Sequence, residues 1–325
     1  MTEALRALLD RHGLGSGPLT MAPIGDGHSN LTYLIRRDGA ACVLRRPPHP
    51  PYPPSAHDVL REARILQALE GTAARVPKVL AAIDDESIIG ARFYLMEHVA
   101  GTVVTDAVPA GYDRTALAHE LIDALVELHS VDWRRLDGIG RPSGYLQRQV
   151  RRFTALWEQN ATREVPAVER VGEWLRTHLP ESRETTVVHG DYRLGNVMFA
   201  AGPRLAAILD WEMATIGDPL ADVGYLLSNW PQGDEPEDAL TALSGVVRQG
   251  FPSRAELVAR YEERSGRRVA AIRWYETLAI WKAAVFLEGS YGRYVAGHAD
   301  DPFFATLEQG VPALAERAWR SATAG

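Results

Sequence analysis

Residues 28 to 47, HSNLTYLIRRDGAACVLRRP, carry two short runs of branched, aromatic and small apolar residues, and Asp38-Gly39 breaks them. Two strand-like runs around an Asp-Gly pair predict a β-hairpin. A helix is expected next, over about Asp58 to Leu69, with Leu60, Ala63 and Leu66 marking its faces and Ser55 with Asp58 as a capping pair. KVLAAIDD (78–85) and ARFYLMEHV (91–99) read as two further strands. Beyond about residue 110 the spacing turns helical, over 113–129, 146–160, 166–179, 254–264 and 269–289. In that half only one strand pair is expected. It runs from the segment opened by Val187 and Val188 through NVMFA to LAAILDW (205–211), with Gly202-Pro203 in the turn. The order predicts an α+β chain of two lobes, β-rich over 1–98 and mainly helical over 99–325, with a connector near 97–104. A crevice between lobes is a favoured place for a ligand.

Two stretches interrupt the pattern. RRPPHPPYPPSAHD (45–58) places six prolines between Pro47 and Pro54, which demands an extended loop. SNWPQGDEPEDA (228–239) mixes Pro, Gly and acidic residues and reads as a solvated loop.

Composition narrows the function. Across 325 residues the formal net charge is −7, so no bulk attraction to nucleic acid or anionic membrane is expected. No apolar run reaches the length of a bilayer span, and the opening MTEALRALLDRHGLG reads as a short amphipathic helix rather than a signal peptide. Cys42 is the single cysteine, which precludes an intrachain disulfide and fits a reducing cytoplasm. Its apolar neighbours predict a small buried side chain.

The chemistry concentrates in VVHGDYRLGNVMF (187–199), where His189, Asp191, Arg193 and Asn196 interrupt an apolar frame. Antiparallel pairing of NVMFA with LAAILD brings Asn196 and Asp210 to one end of a hairpin, with Asp191 on the loop feeding it. An amide oxygen and a carboxylate converging there suit Mg²⁺. A separate carboxylate close by can accept a proton from a hydroxyl. Phosphoryl transfer needs this combination, since metal neutralises phosphate charge while a base orients the nucleophile. A metal hydrolase built on His189 and Asp191 would need further histidines at ligand spacing, and the chain has none.

HGDYRLGN (189–196) followed by ILDWE (208–212) resembles the catalytic loop and metal-binding turn of the aminoglycoside phosphotransferase family, which shares the protein-kinase-like fold. The resemblance implies Asp191 as catalytic base, Arg193 as a neutraliser of the transferred phosphate, Asn196 and Asp210 as metal ligands, and a loop-shaping role for His189. It implies ATP and Mg²⁺ as cofactors. In IGDGHSNLTYLI (24–35), Gly25, Gly27 and Ser29 fall on a turn whose N–H groups can approach phosphates. Arg45 stands where kinases carry a lysine, with Glu62 as its helix partner. Arginine is always charged and grips phosphate as a fork, so the role is open to it. Alternation would turn Arg46 to the opposite face. The main chain near Glu97 and Val99 would meet the purine, with Met96 behind it. Asp218 and Asp222, in GDPLADVGYLL (217–227), would cap a helix and brace the catalytic loop. Trp274, Trp281 and Phe286 are expected in the core, and Glu288, Tyr291 and Arg293 are acceptor-site candidates.

VLRRPP further resembles a subgroup related to the kinase-like region of acyl-CoA dehydrogenase fusion proteins. The expected activity is transfer of the γ-phosphate of ATP to a hydroxyl of a small molecule: a metabolic alcohol, a hydroxyacyl thioester or an aminoglycoside-like antibiotic. A nucleotide-holding pseudokinase is the alternative, supported by the missing lysine. The oligomeric state stays open.

Overall fold

Helix α1 (Thr2–Arg11) buries Leu5, Leu8 and Leu9, a helical i, i+3, i+4 set, on one face of a sheet. The structure is a computed structural model that describes residues 2–25, 30–49, 57–298 and 301–324. Strands β1 (Ser16–Pro23), β2 (Leu31–Asp38) and β3 (Ala40–Arg46) precede helix α2 (Val59–Leu69), then β4 (Val79–Ile83) and β5 (Phe93–Glu97). They form a five-stranded antiparallel sheet in the order β1-β2-β3-β5-β4. Arg37 pairs with Ala40, so Asp38-Gly39 is a two-residue turn, and Gly39 supplies a positive φ of 79°. Alternation along β3 sends Cys42 and Leu44 to the α1 face, while Arg45 points to α2. Burial pushes the Cys42 thiol up to about 11, so it is an inert core group.

Asp58 caps α2 itself, accepting the Arg61 N–H at 2.9 Å. Ser55, expected as its capping partner, lies outside the described residues, as does most of the proline-rich stretch.

The remainder is mainly helical: β6 (Thr102–Val103), α3 (Arg114–Ser130), α4 (Tyr145–Asn160), α5 (Pro166–Thr177), β7 (Thr186–Val188), β8 (Val197–Phe199), β9 (Leu205–Ile208), β10 (Thr215–Gly217), α6 (Leu220–Ser228), α7 (Arg254–Ser265), α8 (Ile272–Val295) and α9 (Phe303–Thr323). The expected single strand pair is corrected in part. NVMFA and LAAILD do pair, as β8 with β9, but β7 pairs instead with β10, and β6 adds to the free edge of β8. A loop joins β7 to β8 without continuing the strand, because Gly190 turns the chain at φ 87°. Helix α8 runs six residues past the expected end, to Val295, and α9 was not expected, since Gly310 and Pro312 dilute its helical signal.

One apolar core joins α2 and α3 to the β7–β10 region, and a second binds α4, α5, α8 and α9. Among the described residues no helix is long and apolar enough to cross a membrane.

Candidate active site

The β8–β9 hairpin pairs Val197 with Ile208, and the Leu209 N–H donates to the Asn196 carbonyl at 2.8 Å. Asn196 and Asp210 therefore flank the same end of the hairpin. Asn196 sits on a short 3-10 turn (Leu194–Asn196) and donates its Nδ2 to the Asp191 carboxylate at 2.6 Å and to the Asp191 carbonyl at 2.8 Å. Both bonds use the amide nitrogen, which leaves the amide oxygen as the atom to meet a cation. Asp210 adopts φ 62°, a left-handed conformation that costs a non-glycine residue energy and so needs support from its surroundings.

Arg45 supplies that support. Its Nη2 donates to Asp210 Oδ1 at 2.6 Å, its Nε to Glu62 Oε2 at 2.9 Å, and its Nη1 to Thr32 Oγ1 at 3.3 Å. The other Glu62 oxygen accepts the Trp211 N–H at 3.1 Å, so one buried carboxylate of α2 grips both the Arg45 cation and the 208–212 turn. Burial opposes the charge of Arg45, but Glu62 and Asp210 outweigh it and raise its pKa further. Burial likewise pushes the Glu62 carboxyl up, against the pull of Arg45. The neighbouring Arg61 donates to the carbonyls of Glu212 (3.1 Å) and Ala214 (2.5 Å), a second clamp from α2 to the same turn. Arg46 turns the other way, towards the carbonyls of Pro47 and Ile89.

The backbone of the 189–196 loop hangs from Asp222, whose oxygens accept the N–H groups of His189 (2.7 Å) and Gly190 (2.8 Å). His129 Nε2 approaches Asp222 Oδ2 at 3.2 Å, and its Nδ1 lies 2.8 Å from the Tyr261 hydroxyl. His189 Nε2 donates to the Leu209 carbonyl at 2.9 Å, and its Nδ1 accepts the Asp191 N–H at 3.3 Å, which assigns the tautomer and ties the loop to the 208–212 turn. Asp218 Oδ1 accepts the Leu220 N–H and its Oδ2 accepts the Tyr275 hydroxyl, both at 2.9 Å.

Arg193 Nε lies 3.6 Å from Asp191 Oδ1, and this nitrogen is buried without a hydrogen bond. A Cβ on Gly195 would fall 2.2 Å from Arg193 Nη1, so glycine there makes room for the guanidinium. Gly25 has φ 80° and no neighbour around its Cβ position among the described residues, and Gly27 and Ser29 lie outside them. Glu97 ends β5 with its N–H committed to the Lys78 carbonyl at 2.9 Å and its carboxylate on the Lys78 N–H. Met96 and Val99 are half-buried beside it.

Three expectations change. Glu288 is fully buried and bonded to Thr162 and Arg163, which makes it a helix tie rather than an acceptor contact. Phe286 is 58% exposed because it faces off the packed side of α8. Within the 228–239 stretch, Glu235 makes a bidentate pair with Arg254, and Asp238 pairs with Arg317, so the segment is pinned rather than simply solvated. The sequence reading missed Tyr225. Burial, followed by the charge of Asp191, raises the pKa of its hydroxyl, so Tyr225 lies within electrostatic reach of that carboxylate. Tyr225 sits one turn after Asp222 on α6, a helical offset that could have flagged it.

The chain belongs to the phosphotransferase enzyme family, whose model matches residues 20–257. It is 36% identical to mouse acyl-CoA dehydrogenase family member 10, aligning 99% of this chain with 31% of that protein. Human acyl-CoA dehydrogenase family member 11 is 33% identical over 95% of this chain and 42% of its own length. The chain thus spans less than half of these relatives. A Ralstonia eutropha structure described as an aminoglycoside phosphotransferase superposes with TM-score 0.82 at 32% identity, covering 99% of this chain and 98% of that one. Aminoglycoside phosphotransferase APH(4)-Ia, solved with AMP-PNP and hygromycin B, superposes with TM-score 0.67 at 16% identity over 99% of both chains, which speaks to the fold alone. The fold is the bilobal, protein-kinase-like α+β fold of this family.

Proposed function

We propose that the protein transfers the γ-phosphate of ATP to a hydroxyl of a small-molecule acceptor. The observation that carries the reading is the joint placement of Asp191, Asn196 and Asp210, with Arg45 and Glu62 fixing Asp210 from the sheet side. In this reading Asp191 accepts the proton of the acceptor hydroxyl as its oxygen attacks the phosphorus. Asn196 holds the Asp191 carboxylate, and Arg193 offers charge to the phosphate in transit.

Among the described residues no three His, Cys, Asp or Glu side chains cluster closely enough to hold a metal alone. That fits Mg²⁺, which takes one or two protein ligands and completes its shell with water and substrate phosphates. Asn196 and Asp210 would hold it, and when bound it would neutralise phosphate charge. Nucleotide contacts fall to Gly25, Gly27 and Ser29, to Arg45 and to the main chain at Glu97 and Val99, with the lobes dividing at 98–99. The relatives are acyl-CoA dehydrogenase family members, which favours a hydroxyacyl thioester or another metabolic alcohol over an antibiotic as acceptor.

Asp191→Asn, assayed with Mg-ATP against a panel of hydroxylated acceptors, should lose about 10²–10⁴-fold in kcat. Full turnover by the variant would refute the base assignment. Arginine in place of the usual lysine favours one competing reading, a module that holds nucleotide without transfer. ATP binding with no phosphorylated product from any acceptor would establish it.

A further inference from the structure

Four arginines meet where the start of α4 approaches β10. Arg141, Arg148, Arg151 and Arg152 line a cavity of about 340 Å³ together with Gly140 and Thr215, and among the described residues no carboxylate lines it. Arg148 donates to the carbonyls of Ser143 and Arg141, which fixes its guanidinium at the wall. Arg141, Arg151 and Arg152 form no ion pair with any described residue. Elsewhere the chain pairs its arginines closely: Arg75 with Glu120 and Glu127, Arg254 with Glu235, Arg260 with Asp123. A chain of net charge −7 has carboxylates to spare, yet this cavity gathers like charges without them. Burial and the nearby Arg141 both lower the pKa of Arg148, the cost of crowding cations.

The cavity borders the catalytic loop. Thr215 pairs with Val188, the residue before His189, and Gly190 packs against Met213. Behind Arg152, the buried Phe153 ring lies 6.0 Å from the Arg152 guanidinium and 4.9 Å from Lys282 Nζ. Lys282 in turn feels the charge of Asp191.

We infer that this cavity binds a phosphate-type polyanion, and, resting on the phosphotransferase reading, that the anion is carried by the acceptor. Guanidinium forks match phosphate oxygens two by two, and several of them favour a group with more than one phosphate. A polycationic acceptor would meet only repulsion here.

The test is calorimetric titration of inorganic pyrophosphate into the full chain, without nucleotide, for the native protein and for an Arg141→Gln/Arg151→Gln double variant. Both side chains are exposed, so the variant keeps its fold. Affinity should fall roughly tenfold or more in the variant, with a shallower dependence on salt. No binding to the native protein, or equal binding to both, would overturn the proposal; equal binding would put the anion in the nucleotide cleft. A second arm competes pyrophosphate with a hydroxy acid, free and as its coenzyme A thioester. Displacement by the thioester alone assigns the anion to the acceptor. Displacement by neither overturns that assignment and leaves free phosphate as the occupant. The binding result stands whether or not Asp191 proves to be a base.

Discussion

Asp222 holds the 189–196 loop by its backbone, taking the N–H of His189 on one carboxylate oxygen and that of Gly190 on the other. Burial alone would raise its pKa, but the hydrogen bond and charge of His129, with further help from His189 and the Gly190 N–H, hold it below the usual carboxylate range. A carboxylate depressed in the folded state adds stability above its unfolded pKa. That stability is lost as pH falls through the lower folded value.

Asp222→Asn should therefore destabilise the protein by about 3 kcal/mol at neutral pH, because an amide cannot accept both N–H groups with a negative charge. The gap between native and variant stability should close as pH drops below about 4. Urea unfolding across pH 3 to 7 measures it, and a gap unchanged with pH would mean that the Asp222 charge carries none of the effect.

Arg45 and Glu62 form the second support. Arg45→Ala leaves Glu62 buried without its cation and Asp210 without its partner, and should cost about 3–5 kcal/mol. Adding Glu62→Gln removes the stranded charge and should restore part of that stability without restoring turnover. A double-mutant cycle by chemical denaturation reads the coupling. Strictly additive losses would show that the pair is not energetically linked.

Much of this site was legible in order and spacing. His189 to Asn196 and Asp210 to Glu212 are local motifs, and strand alternation alone separated Arg45 from Arg46. The hidden parts depend on tertiary approach. Tyr225 comes near Asp191 only because α6 folds back under the loop that Asp222 holds, and Arg61 reaches the carbonyls of Glu212 and Ala214 from a helix about 150 residues earlier. The β7–β10 pair hid for another reason: three-residue strands carry too little alternation to register.

Gly195 tests the Arg193 assignment. Gly195→Ala would put a methyl group 2.2 Å from Arg193 Nη1, and the guanidinium would have to swing away from Asp191. Fold stability should change little, since the displaced atoms are the far end of a flexible side chain. Steady-state kinetics should show kcat reduced about tenfold or more with KM for ATP retained. Unchanged kcat would remove Arg193 from the transfer step.

Lys282 gives a prediction at the alkaline end of the pH range. Burial and the nearby Arg152 lower its pKa to about 8, while Asp222 and Asp191 pull the other way. Below pH 8 the lysine is charged in both folded and unfolded chains, and the folded state bears the cost of that charge. Between pH 8 and about 10.4 the folded protein releases the proton before the unfolded chain does, so stability gains with rising pH. Lys282→Met keeps the contact with Phe153 and removes the charge. The variant should unfold at a higher temperature than the native protein at pH 7, and the two curves should converge by about pH 10. Thermal unfolding at steps from pH 7 to 10 follows the convergence. A constant difference across that range would mean that Lys282 keeps an ordinary, water-like proton affinity beside Asp191.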